Sequence, residues 1–173
     1  MSDIKVNEIK TDTIKNQAGT TAATIDASGR FLKSTSTQVA FSVWPSGGGS
    51  ISNGNILPFN NADLNIGNCF NTSTYKFTAP VAGIYYFSAY FLVSTGNLVI
   101  QMRHTPSGGS EQVVAMIHTN RAGNTWVNPN IVNLIQLGAG DTIHLRHNSG
   151  DATVYFNGSG VDDYNRFVGY LIG

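Results

Sequence analysis

The sequence predicts an all-β protein, a ten-stranded sandwich led in by a short extended N-terminal arm. Three observations carry this. Charged residues are only 12% of the chain while glycine supplies 19 of its 173 residues, so the high net charge that marks a disordered chain is absent and turns are many. No apolar period of 3.6 residues is sustained over two turns, which leaves no place for a helix. About ten short apolar runs are instead divided by Gly, Pro and Asn.

The chain opens on an Ile-Lys pair every five residues: Ile4-Lys5, Ile9-Lys10 and Ile14-Lys15. Five matches neither the helical nor the strand period, so short β segments are expected, with Ile4 and Val6 on one face. Such a strand is unstable alone and must lie on a partner or on copies of itself. "TTAATIDASGRF" closes this part with a turn at Gly29 between Ile25 and Phe31. Residues 1–33 hold five of the ten basic and four of the ten acidic residues. That shift in composition places a boundary near residue 35, with an attachment or shaft segment over 1–35 and a head over 36–173.

In the head the expected strands run in order: 39–44, 55–60, 75–80, 83–94, 97–104, 112–119, 130–137, 141–147, 152–156 and 166–172. The breakers between them include "PSGGGS", "TPSGGS" and "LGAGD". Ten strands and no helix imply a sandwich or barrel. The run 83–94 is apolar on both faces (Ile84, Tyr85, Tyr86, Phe87, Tyr90, Phe91, Leu92). A one-sided surface strand alternates with polar residues, so this one must be covered twice, by its own core and by another copy of the chain. "NIVNLIQL" (130–137) makes the same demand more weakly.

Several function classes are disfavoured. Formal net charge is zero and no basic stripe exists, so nucleic acid is not an expected partner. No run of about 18 apolar residues is present to span a membrane. The N-terminus lacks an apolar signal core, and Cys69 is the sole cysteine, so no intrachain disulfide forms. Folding in a reducing cytoplasm is the expectation.

No catalytic constellation is visible, and an enzyme is not expected. His144 and His147 stand three apart in a strand and point to opposite faces, the wrong spacing for a shared metal, and His104 and His118 bring no HExxH motif or Cys pair. Asp162-Asp163 are two ligands where calcium needs six to eight oxygens, so a solvated loop is expected and no cofactor. "SGGGS" has neither the Lys nor the helix of a phosphate loop. Trp44 and Trp126 lie beside Gly- and Asn-rich loops, suiting either carbohydrate or protein contact or the capping of a sandwich end. Arg103, Arg121 and Trp126 are the candidates for surface recognition. The sequons at 71–73 and 157–159 are expected by chance in a chain so rich in Asn and Ser.

"LPFNNADLNIGNCFNTSTYKFTAPVAGIYYFSAY", "LGAGDTIHLRH" and the closing "RFVGYLIG" resemble, in this order, the globular head of complement C1q and the wider C1q/tumour necrosis factor superfamily. The matching positions are Phe59-Asn60, Phe77, Ala79, Pro80, Gly83, Tyr85 and Phe87, then Gly140-Asp141, then Phe167, Gly169 and Leu171. The resemblance covers residues 38–173 and implies a jelly roll that assembles as a homotrimer and is not an enzyme. It places the central strand and the strand before the Gly-Asp turn on the threefold axis, with Tyr86, Tyr90, Val132, Leu134 and Phe167 as interface candidates. A slip of one residue puts Tyr85 and Phe87 there instead. An axial calcium occurs in some C1q heads; the collagen Gly-X-Y stalk of the animal proteins is missing here.

"VNEIKTDTIKNQAGTTAATIDASGRF" is similar to short N-terminal segments of bacteriophage virion proteins. That resemblance implies a trimeric fibre or tail appendage, made in the host cytoplasm and resident in the virion. Ile4, Val6, Ile9 and Ile14 would dock it to other virion proteins, and the head would bind a host-surface glycan or protein. A capsid decoration or head-fibre protein is the alternative, and a non-viral C1q-like lectin or adhesion protein is another.

Overall fold

The computed structural model describes residues 13–33, 38–46, 51–93, 96–121, 126–150 and 164–172, which divide between two compact units, Met1–Gln38 and Val39–Gly173. In the first unit, β1 (Thr13–Lys15), β2 (Thr21–Ile25) and β3 (Phe31–Lys33) form an antiparallel sheet in chain order. Polar side chains shape both turns. Asn16 Oδ1 accepts from the Thr20 amide at 2.9 Å, and Asp26 Oδ1 accepts from the Ser28 and Arg30 amides, both at 2.9 Å. Gly29 sits at φ +77°, where a side chain is strained, and Ile25 pairs with Phe31 across it. These strands therefore find their partners in one another.

The second unit holds two five-stranded antiparallel sheets. Its strands are β4 (Ala40–Trp44), β5 (Asn61–Ile66), β6 (Phe70–Asn71), β7 (Lys76–Thr78), β8 (Gly83–Tyr90), β9 (Gly96–Thr105), β10 (Gln112–Arg121), β11 (Asn130–Leu137), β12 (Thr142–Gly150) and β13 (Arg166–Leu171). One sheet runs β11-β8-β13-β4-β5 and the other β10-β9-β12-β7-β6. From β8 onward the chain passes from sheet to sheet, apart from the β9–β10 hairpin. That crossing is the jelly-roll pattern.

The core lies between the sheets and is built of aromatic rings. Phe41, Phe59, Phe77, Tyr85, Phe87, Phe91 and Phe167 are all fully buried. Phe77 meets Phe87 edge-on at 5.1 Å and Phe41 meets Phe167 edge-on at 4.9 Å, separations favoured by the ring quadrupoles. Gly169 explains the Phe-x-Gly of β13. A Cβ there would lie 2.6 Å from both a Phe41 and a Phe87 ring carbon, so the strand can pass those rings only without a side chain.

One expected strand is relocated. "NILPFN" (55–60) pairs only through the bridge Ile56–Arg146, because Pro58 has no amide to donate to a ladder. Leu57 and Phe59 are nevertheless buried, and the Asn60 carboxamide pairs with the Ser46 backbone, accepting its N–H at 2.6 Å and donating to its carbonyl at 3.2 Å. The strand that follows, "NADLNI", is an edge strand whose residues alternate polar and apolar, though none is fully buried and Leu64 is 42% exposed. Residues 152–156 lie outside the described residues, as do Asp162 and Asp163.

The Gly-Asp pair before β12 is a pin. The Asp141 carboxylate accepts from the Ser107 amide at 2.8 Å and the Gly138 amide at 2.9 Å, and lies 2.9 Å from His104 Nε2. Burial pushes this carboxyl up, but the hydrogen bonds from Ser107, Gly138 and His104 outweigh it and hold the group below the usual carboxylate range. One side chain thus ties the β9–β10 loop to the β11–β12 turn.

Candidate functional site

Alternation along β8 sends Tyr85, Phe87 and Ala89 into the core and leaves Ile84, Tyr86, Ser88 and Tyr90 outside. Register then assembles a surface across three strands. Tyr86 stands between Leu134 of β11 and Tyr170 of β13, and Ser88 between Val132 and Val168. The Tyr86 and Tyr170 rings meet at 5.3 Å. Leu134 is 61% exposed and Val132 50%, and Ile84, Tyr170 and Ile172 are about half exposed. Contiguous apolar side chains of this kind mark an interaction surface rather than a solvated face.

The other end of the same face is polar. Tyr90 stands between Asn130 and Arg166. Arg166 donates to Asp63 of β5 at 2.5 Å and to Ser42 Oγ at 2.8 Å, while the Trp44 indole donates to Asp63 at 2.9 Å. The hydrogen bond from Arg166, with that from Trp44 behind it, holds the Asp63 carboxyl below its ordinary range. Trp44 is thereby a strut of this face and not a free recognition ring.

The interface candidates divide on these observations. Tyr86, Tyr90, Val132 and Leu134 share the outward face. Phe167 does not: it is fully buried against Phe41, Phe59, Phe70 and Phe87. The parity of β13 runs one residue out of step with the expectation, so Arg166, Val168 and Tyr170 face outward beside β8. Tyr85 and Phe87, the alternative pair, are also in the core, with the Tyr85 hydroxyl donating to the Val81 carbonyl at 2.7 Å.

The recognition candidates are scattered. Arg103 is not a free surface cation; its side chain is only 18% exposed and donates to Glu111 at 3.3 Å and Asn148 at 3.1 Å. Trp126 is exposed, four residues before Asn130 and next to the Val93–Val127 bridge. Arg121 ends β10, and its side chain lies outside the described part of the molecule. Of the docking candidates, Ile14 is in β1 and exposed, whereas Ile4, Val6 and Ile9 lie outside the described residues.

The opposite outward face, on β10-β9-β12-β7, carries a charge cluster that spacing along the sequence did not reveal. Arg103 pairs across strands with His144, and Gln101 with Arg146. The Glu111 carboxylate reaches Arg103, Arg146 and His144, each at 3.3 Å. Burial, which outweighs the pull of Glu111, lowers the His144 pKa to about 4, so this histidine is neutral at pH 7. His147, on the inner face as its three-residue offset requires, contacts the Ile51 carbonyl through Nδ1 at 2.6 Å. Burial likewise pushes the Cys69 thiol up to about 11, which removes it as a nucleophile. Among the described residues no group of three or more His, Cys, Asp or Glu side chains is arranged to hold a metal ion. Nor is any helix there long and apolar enough to cross a membrane.

Solved structures share this architecture. The chain is similar to the globular domain of the zebrafish complement 1qA protein at 21% identity and a TM-score of 0.64, over 78% of this chain and 98% of that one. It is similar to the Eiger TNF of S. frugiperda at 11% identity and a TM-score of 0.63, over 79% and 93%. Murine APRIL matches at 11% identity and a TM-score of 0.60, over 79% and 100%. At such identities the likeness is one of fold. The model of the C1q domain matches residues 40–172, three-quarters of the chain, and the protein belongs to the C1q domain family.

Proposed function

We propose that this protein is a non-catalytic binding module that works as a homotrimer, the β8-β11-β13 face being the surface that its copies bury. The observation that carries this is the outward row of Leu134, Tyr86 and Tyr170 with Val132, Ile84 and Ile172 beside it. Burying one such side chain fully is worth about 1.5–3 kcal/mol, so a lone protomer forgoes a large stabilisation. C1q and tumour necrosis factor domains typically form trimers, which supports the same reading. Sedimentation velocity tests it: a three-chain mass at micromolar concentration is expected, and a monomer there overturns it.

We place the trimer on a bacteriophage particle as a fibre or tail appendage, docked through the N-terminal segment, with the head meeting the host surface. This reading is supported by the likeness of residues 6–31 to virion N-terminal segments and by the sharp change of composition near residue 35. Mass spectrometry of purified particles checks it, and absence of the chain overturns it. Competition of phage adsorption by free trimer separates host binding from a decorating role on the capsid. The C1q domain fits a non-viral adhesion protein equally well, and that reading takes over if the chain is missing from particles.

A further inference from the structure

We propose that the outward face of β9, β12 and β7 is a binding site for the carboxylate of an acidic saccharide, held shut in this structure by the protein's own Glu111. Cross-strand pairing sets out the site as two rows. Val113, Arg103 and His144 form one, and Met116, Gln101 and Arg146 the other. Lys76 of β7 adds a further positive charge within reach of His144. Two guanidinium groups therefore face one carboxylate, with Lys76 near enough to act on the His144 beside them, and the neutral His144 contributes no charge of its own at pH 7.

Glu111 fills this site poorly. Its oxygens stand 3.3 Å from Arg103, Arg146 and His144, whereas a charge-assisted hydrogen bond closes to about 2.7–2.9 Å. The Nε atoms of Arg103 and Arg146, both His144 ring nitrogens and the Gln101 carbonyl oxygen are buried without a hydrogen-bond partner. Unmet groups in this number cost stability. A second carboxylate, planar and able to accept from two guanidinium groups, suits the N–H donors among them in charge, whereas the Gln101 oxygen, itself an acceptor, is not served by it. The surroundings favour a sugar as its carrier. Asn148, exposed beside Arg103, offers its amide to ring hydroxyls, and the exposed Val113 and Met116 offer an apolar ledge to the C–H face of the ring.

The site stands on one protomer and is independent of the trimer and of the virion assignment. Isothermal titration of the full chain with polygalacturonate, with a neutral glucan as control, tests it. Wild type should bind the polyuronate and not the glucan. R146Q should weaken binding at least about tenfold, as expected for one charge-assisted bidentate contact. K76Q, farther from the core, should weaken it about threefold and serves as the second variant if R146Q alters the fold. E111Q is decisive, because removing the competing internal carboxylate should tighten binding about fivefold, the size of one part-exposed ion pair. A wild type that ignores polygalacturonate, or variants that leave its affinity unchanged, overturns the site. Poly-glutamate bound as tightly, with the same dependence on Glu111 and Arg146, overturns the saccharide and makes the ligand an acidic peptide.

Discussion

The two outward faces of the head share one backbone architecture and differ in how their side chains are satisfied. On β8-β11-β13, half of the face is apolar and is left exposed among the described residues. On β9-β12-β7, charged groups satisfy one another through Glu111, incompletely and at long range. An apolar face can be completed only by removing water, which a flat surface of another chain does over a wide area. A charged face is completed by a small counter-group at a point. The contrast supports placing the proposed assembly surface and the proposed ligand surface on opposite sides of one sandwich, each set by strand parity.

The sharpest way to break the contrast is to show that a residue belongs to neither face. Phe167→Ala should cost about 3–5 kcal/mol of stability, the usual loss for a buried aromatic ring, measured by urea denaturation. If stability held and only the oligomer fell apart, Phe167 would be an interface residue after all. Next in size, Leu134→Asp should convert a trimer to monomers by burying a charge at the interface, weakening association by about 2 kcal/mol or more per protomer. Unchanged sedimentation would move the interface elsewhere.

The charged face has a pH signature. The folded chain holds His144 at a pKa of about 4 against 6.5 for the free group. Between those values the unfolded chain takes up a proton that the folded one refuses, so stability must fall as pH drops from about 6.5 toward 4 and then level off. Denaturation midpoints at pH 7, 5.5 and 4.5 should decline in order for wild type, and His144→Leu should flatten that slope. The lowered carboxyls of Asp63 and Asp141 do not interfere, since their stabilisation is lost only as pH falls below their ordinary value near 3.8. The smallest effect is expected at the polar end of the assembly face. Asp63→Asn removes a solvent-screened pair with Arg166 and should cost less than about 1 kcal/mol.

Much of the fold was legible beforehand for a physical reason. Alternation, turn residues and the absence of a helical period are local properties, and they placed β4, β7 to β13 and the Gly29 turn within a few residues. β5 and β6 were missed: the alternation of "NADLNI" is weak, with Asn and Asp between Ala62, Leu64 and Ile66, and the more apolar "NILPFN" beside it outweighs it as a strand, while a two-residue strand carries no pattern. The outward apolar row was half legible. The two-sided apolar character of 83–94 announced it, but Tyr170 and Ile172 were missed because β13 was read one residue out of step, and a period of two makes such a slip reverse every side chain. The charge cluster was hidden altogether. Arg103, Glu111, His144 and Arg146 look isolated along the chain, and only the β9–β12 register and the approach to β10 bring them to one point.

By itself the sequence determined the class of structure and the two-sided apolar character of one strand. These follow from composition and from the two-residue period, which do not depend on distant parts of the chain. Tertiary structure alone decided which ring fills the core and which meets water, that Asp141 ties two loops together, and that one glutamate serves three basic side chains. Each of those depends on register between strands far apart in sequence, and no local pattern encodes it.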